Sequence, residues 1–439
     1  MRRSTLLVSI LCLCGALLIV RYWWTARTDA SGLTRPVPSP ASASVAIDVG
    51  QTPALVGTAR PTPLVATGAG DLARNSDASP VVPVLTTPGS KSAVAPTGPA
   101  ISPPETDPIW LSQSELAALP PIPEAIRELA ESSVSVALGD QENQADAVAV
   151  AAAYACASTG DEYYCDQAQG LIEEVSGTDV TGIKTLALNR NLAGYVVAAD
   201  IIDYREPAFA AWLEEAIHGR TWNAWTDDWS VYRSAMEEPS NGGCHARAAV
   251  TAVALYTGDE ELLEAVANRF HDWLGRSGAD WLWDADESWW QSASDPSLYR
   301  GVNPAGATLV IDGEVRNVDG VLPEDMKRSG RPKYPFPKEG YVRECQQGMV
   351  ATAWMLHRAG YQAFEWEGQA VLRSFRWFVE EAEGQYRGDD SGLPYLIRNI
   401  YGVNYTTQPA RPGKNGLGFY EWTHRDGAAG VSTIGRTLE

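Results

Sequence analysis

Three stretches of this chain carry side chains whose types and spacing suit chemistry. The first reads Asn241-Gly-Gly-Cys-His245-Ala-Arg247 and runs directly into an apolar stretch that predicts a helix. Imidazole is the side chain best suited to accepting a proton near neutrality. An asparagine amide nearby can donate to a carboxylate or to a developing oxyanion. The two glycines let backbone approach a ligand. The same residues also suit a plain helix start, with Asn241 as cap and His245 satisfied inside the fold.

The second stretch runs from Asp319 to Tyr341. Between Lys327 and Arg343 lie six cationic residues and one acidic residue. Such a patch can focus an anionic ligand at one place. Arg328 and Arg331 have the fork geometry that clamps a carboxylate, and Tyr334 and Tyr341 are candidate proton donors. The plainer reading is a solvated basic loop paired with nearby acids. The third stretch is the Trp281–Trp290 cluster, followed by Asn303. Tryptophan faces stack on sugar rings through their apolar area, which makes Trp289 a candidate; core packing is the alternative. Tyr401 and Lys414 are expected to line the same cleft, and Arg190-Asn191 is a further candidate pair.

The other histidines, His218, His271, His357 and His424, read as structural, and none forms an HExxH-type pair. No zinc-like Cys/His spacing occurs, so neither a metal nor a cofactor is expected. Cys156 and Cys165 flank a short turn and can pair in an oxidising compartment. Cys244 and Cys345 can pair as well, or stay as buried thiols.

The elements that must position these groups are helical. An apolar helix over Ala147–Ala155, a break at Ser158–Asp161, and a second helix carrying Tyr164, Ala168 and Ile172 make one hairpin. The layout returns as Ala248–Tyr256 with Leu262–Leu274, and again as Met349–His357 with Phe364–Phe378. Gly160, Gly258 and Gly360 mark the stops. Hairpins of this kind cannot bury their faces alone, so they stack or curl into a ring. Ala307–Ile311 with Asp312-Gly313 predicts a short β-hairpin. Long Gly-, Pro-, Asn- and Trp-rich segments at 219–244, 279–345 and 386–424 lie between the helices, where sites are usually found.

Arg2 and Arg3 precede an apolar run from Leu6 to Val20, with Tyr22, Trp23 and Trp24 after it. This pattern predicts a signal anchor or a cleaved signal peptide over 1–26. Fourteen of the 28 prolines lie between Pro36 and Pro108, and no aromatic residue occurs from Thr25 to Ile109. Residues 27–107 therefore read as a disordered linker. A helical domain over 108–425 and a flexible tail over 426–439 complete the division. Eight basic residues face six acidic ones over 1–109, whereas 26 face 49 beyond, for a net −23 over 110–439. That balance disfavours a nucleic-acid partner. Membrane contact is expected through the N-terminal segment only.

From about residue 180 to 425 the chain resembles the alginate-lyase-type domain of polysaccharide lyases. The carrying residues are Asn189-Arg190-Asn191-Leu192 with Tyr195, Ala198-Ala199-Asp200, Asn241 with His245, and Asn317–Arg328. Gly340-Tyr341, Gln346–Met349 and Gly413-Lys414-Asn415 follow. The family's N-N-H motif falls on Asn241 and His245, here spread apart by Gly-Gly-Cys. Its L-P-x-E…R…Y motif falls on Leu322, Pro323, Arg328 or Arg331, and Tyr341. The resemblance implies an all-α incomplete (α/α) toroid and β-elimination at a uronic acid of an anionic polysaccharide. Asn241 and an arginine would neutralise the carboxylate, His245 or Tyr341 would take the C5 proton, and Tyr341 would protonate the leaving oxygen. A glycoside hydrolase on the same scaffold is the alternative, using carboxylates such as Asp284, Asp286, Glu287, Asp319 and Glu324. A non-catalytic glycan-binding protein on a stalk is another.

Overall fold

A computed structural model describes residues 108–279, 289–291, 300–406 and 417–425. The expected membrane segment, linker and tail lie outside the described residues, as do Lys414, Asp284, Asp286, Glu287, Trp281 and Trp283. The described part is mostly helical with one two-stranded sheet. Among the described residues, no helix is long and apolar enough to cross a membrane.

Two short helices, α1 (Gln113–Ala118) and α2 (Glu124–Ala130), lead in. The first hairpin is α3 (Ala145–Thr159) with α4 (Glu162–Ser176). Then come α5 (Thr185–Ile201), α6 (Pro207–His218) and α7 (Val231–Glu237). The second predicted hairpin is α8 (Asn241–Thr257) with α9 (Glu260–Leu274). Strands β1 (Thr308–Ile311) and β2 (Glu314–Asn317) precede α10 (Pro323–Met326). The third hairpin is α11 (Gly340–Arg358) with α12 (Trp366–Arg376), followed by α13 (Leu393–Tyr401) and α14 (Tyr420–Thr423).

The two helices of a hairpin differ in pattern for a physical reason. Every residue of α3 from Ala145 to Ala155 is buried, and apart from Asp146 the stretch is Ala, Val and Tyr, so this helix sits inside. Its partner α4 buries Tyr164, Ala168, Leu171, Ile172 and Val175, one stripe at helical spacing, and leaves the rest to solvent. The same division holds for α8, buried from Asn241 to Ala254, and α9, which buries Leu262, Val266, Phe270 and Trp273. The inner helices pack in a row, α5 between α3 and α8, and α8 between α5 and α11. Truncating a core aromatic such as Phe270 to Ala would cost about 3–5 kcal/mol.

The β-hairpin forms where Asp312-Gly313 predicts it. Thr308 pairs with Asn317 and Ile311 with Glu314, and both turn residues have positive φ, the conformation a two-residue type I′ turn requires. Both candidate disulfides are present, Cys156–Cys165 and Cys244–Cys345. The third hairpin departs from its predicted span. Glu367, Gly368 and Gln369 at the start of α12 have φ of 50°, 62° and 60°, a left-handed turn. Arg373 braces it, donating from Nη2 to Glu367 O and from Nε to Gly368 O.

The beginning and end of the described chain meet. The Trp110 ring lies against Trp354, Tyr420 and His424. Trp422 donates to Pro120 O at 3.0 Å, and Arg358 pairs with Glu115 at 2.6 Å.

Candidate functional site

Three inner helices bring their first two turns to one place. Asn189 on α5 donates to Gly242 O on α8 at 3.2 Å. Arg190 on α5 forms a short ion pair with Glu344 on α11. Cys244 on α8 is bonded to Cys345 on α11, their Cα atoms 5.4 Å apart. Each helix directs its positive N-terminal end toward this region, which favours negative charge there.

Helix α8 begins at Asn241, seven residues before the apolar run that predicts it, so Asn241 and His245 lie inside its first two turns. The glycines that hide this start are required by packing. A Cβ on Gly243 would lie 1.9 Å from Glu238 O. Gly348 on α11 serves the same purpose from the other side, since a Cβ there would lie 2.3 Å from the Cys244 carbonyl carbon. The Gly348 approach lets α8 and α11 touch backbone to backbone, and Gly243 lets the first turn of α8 close against the Glu238 carbonyl. Asn241 N donates to the buried Asp325 carboxylate at 3.1 Å, which ties the start of α8 to α10. Burial holds Asp325 well above the usual carboxylate range.

His245 and Arg190 line a narrow cleft together with Asn189, Gln347, Asp389 and Tyr420. The cleft measures about 20 Å³, room for about one water. His245 is 5% exposed and forms part of its wall. Its Nε2 stands 3.9 Å from Glu344 Oε2, an ion-pair distance too long for a hydrogen bond. Burial lowers the His245 pKa, Arg190 adds to this, and Glu344 opposes it. Burial alone would raise Glu344, but His245 and Arg190 outweigh it and hold the carboxyl down at about 2. Buried polar atoms collect here without hydrogen-bond partners: His245 Nε2, Arg190 Nε, Asn189 Oδ1 and Asn241 Nδ2. Such atoms are costly unless a ligand or water satisfies them.

Tyr341 lies in the first turn of α11, three residues before Glu344 and seven before Gly348, so all three share the face turned to α8. It is 43% exposed, and the Arg328 guanidinium sits 4.1 Å from its ring centroid. The basic stretch is organised by similar stacking. Arg331 lies over Trp289 at 4.8 Å, and Arg316 over Tyr334 at 3.8 Å.

Among the expected site residues, Asn241, His245, Arg190, Arg328 and Tyr341 are therefore brought to the N-terminal ends of α5, α8 and α11. Arg331, Trp289 and Tyr334 form exposed stacks on the basic stretch. Three others are not on a binding surface. Asn303 is wholly buried, and its amide donates to Trp290 O and Val318 O. The Tyr401 hydroxyl donates to Phe364 O at 2.6 Å. Asn191 is 2% exposed and donates to Asp140 O. The two described carboxylates named for hydrolysis are engaged as well: Asp319 pairs with Arg373, and Glu324 with Lys327.

Glu344 is the residue that sequence reasoning missed. Its signal was present: it precedes Cys345, and His245 follows Cys244, so pairing the two cysteines places residues 245 and 344 side by side. No group of three or more His, Cys, Asp or Glu side chains with metal-holding geometry occurs among the described residues. No protein-family model matches this chain, and no curated protein matches it.

Proposed function

We propose that this chain is a polysaccharide lyase that cleaves a uronate-containing polymer by β-elimination. The observation that carries the reading is the meeting of His245 and Arg190 in one cleft, both facing the Glu344 carboxylate, with the exposed Tyr341 on the same face of α11 as Glu344. The resemblance of residues 180–425 to the alginate-lyase-type domain points the same way.

In this mechanism the substrate carboxylate displaces Glu344 from Arg190, and the Asn241 amide is a second donor. Neutralising the carboxylate makes the C5 proton removable, because the negative charge of the enolate-like intermediate is then met by donors already in place. His245, kept neutral by burial, accepts the C5 proton at Nε2. The C4–O4 bond breaks, a C4–C5 double bond forms, and Tyr341 gives its phenolic proton to O4. Arg328, stacked on the Tyr341 ring, orients the phenol. Tyr341 is then reprotonated from solvent, and His245 releases its proton.

The row α3–α5–α8–α11 and the contact of Trp110 with His424 support an incomplete helical ring as the scaffold. The two disulfides support export to an oxidising compartment. The pattern of residues 1–26 adds an anchor or signal, with the helical domain outside the membrane.

A second reading has one observation in its favour. Burial raises Asp390 to about 7 while Glu344 is held at about 2, and the Glu344 charge adds to the rise. Two carboxyls pushed apart in this way are the pair a glycosidase uses. One assay separates the two. Incubation with alginate, glucuronan and glycosaminoglycans is expected to yield an ultraviolet-absorbing unsaturated uronate. Reducing ends without that absorbance would establish hydrolysis instead, and no product from any polymer would leave only binding.

A further inference from the structure

A second pocket lies one helical turn from the cleft. Arg343 and Gln347 are four residues apart on α11 and share a face, about 6 Å apart along the axis. Gln347 lines the cleft, while Arg343 lines a separate pocket of about 170 Å³ with Lys338, Arg387, Phe378, Glu383 and Gln385. Asp390 ties the two linings together. It accepts from Gln347 Nε2 at 2.5 Å and pairs with Arg343 on the other side. The segment Arg387–Asp390 also serves both pockets, giving Arg387 to one and Asp389 to the other.

Three cationic side chains line this pocket in a domain of strong net negative charge. Its one acidic lining residue, Glu383, stands 3.7 Å from Lys338, and both side chains are more than half exposed. Such a pair contributes little, and an incoming carboxylate displaces it readily. The exposed Gln385 amide can meet sugar hydroxyls, while the Phe378 ring, covered by Gly384 and Tyr386, forms the floor. The pocket volume is on the scale of one monosaccharide, and one helical turn is on the scale of one sugar repeat.

We propose that Lys338 and Arg387, beside the Asp390-paired Arg343, form a second carboxylate subsite, which holds the acidic sugar next to the one whose carboxylate reaches the His245 cleft. The inference rests on the lyase reading and deepens it. A chain with uronates on consecutive sugars fills both positions, whereas an alternating uronate–hexosamine chain places a neutral sugar in the second.

The test is calorimetric binding of two tetrasaccharides, one a homopolymeric uronide and one alternating, to the full chain and to the Lys338→Ala/Arg387→Ala variant. Both side chains are on the surface, and Arg343 is left in place to hold Asp390. The homopolymeric probe is expected to bind the variant at least tenfold more weakly, and the alternating probe to change by less than twofold. Arg387→Ala alone is expected to give an intermediate loss on the homopolymeric probe. Unchanged affinity for the homopolymeric probe, or equal losses on both probes, would overturn the subsite. Because the readout is binding, absence of unsaturated product defeats the elimination chemistry without deciding this result.

Discussion

Two buried histidines show how one residue type can have opposite meanings in one fold. His424 is 1% exposed, its Nδ1 shares a hydrogen bond with Thr423 Oγ1, and its ring is surrounded by Trp110, Trp354 and Tyr420. His245 is 5% exposed and faces a carboxylate, a guanidinium and a cleft. Burial lowers the pKa of both. Burial alone therefore does not mark a working imidazole. A carboxylate at ion-pair distance and an opening do.

Substitution is the most direct way to break that comparison. His245→Ala and Tyr341→Phe are each expected to reduce unsaturated-product formation by about 10²–10⁴-fold, the range of general acid–base catalysis, with the circular dichroism spectrum unchanged. His424→Gln is expected to retain turnover at pH 7. Comparable losses in all three variants would end the distinction.

The disulfides allow a second contrast. Cys244–Cys345 closes a loop of 101 residues beside the cleft, and Cys156–Cys165 closes one of 9 residues away from it. Removing the former as a Ser pair is expected to cost about 4 kcal/mol in denaturant unfolding, and removing the latter about 2–3 kcal/mol. Only the former is expected to reduce activity, because it alone holds α8 against α11.

Acid sharpens the contrast further. The His424 pKa is lowered to about 3 from 6.5, so below pH 6.5 the unfolded chain binds a proton that the folded chain does not. This contribution is intact above pH 6.5 and is lost at about 1.4 kcal/mol per unit as pH falls toward 3. The stability difference between wild type and His424→Gln should shrink by about 2 kcal/mol between pH 7 and pH 5. Glu421, raised by burial to about 7, changes in the opposite sense, but it is present in both proteins.

The smallest effect is expected from Glu344→Gln. Glu344 favours protonated His245, so its removal lowers the His245 pKa further. The acid limb of the activity profile should then move to lower pH. A shift to higher pH would show that Glu344 does not act on the imidazole.

Much of the scaffold was legible because helical periodicity and glycine stops are local signals. Gly160 and Gly258 do end α3 and α8 in the left-handed conformation. The start of α8 was not legible, because Gly242-Gly243 has poor helix propensity and the need for small residues appears only in the fold, where a Cβ on Gly243 would meet Glu238 O. Asn303 and Tyr401 were misread for a related reason. An amide or a phenol in a loop looks available for a ligand, and only the fold reveals the backbone carbonyls that occupy it. Glu344 was hidden because its role depends on Arg190, 154 residues away in sequence.

The Trp110 and His424 rings, 6.3 Å apart, put the two ends of the described chain side by side. Circular permutation is thus geometrically open to this domain. In a version confined to residues 108–425, a short peptide could join the two ends there, and fresh ones could be cut at the exposed Asp312-Gly313 turn, leaving the helices and the cleft between them in their present order in space.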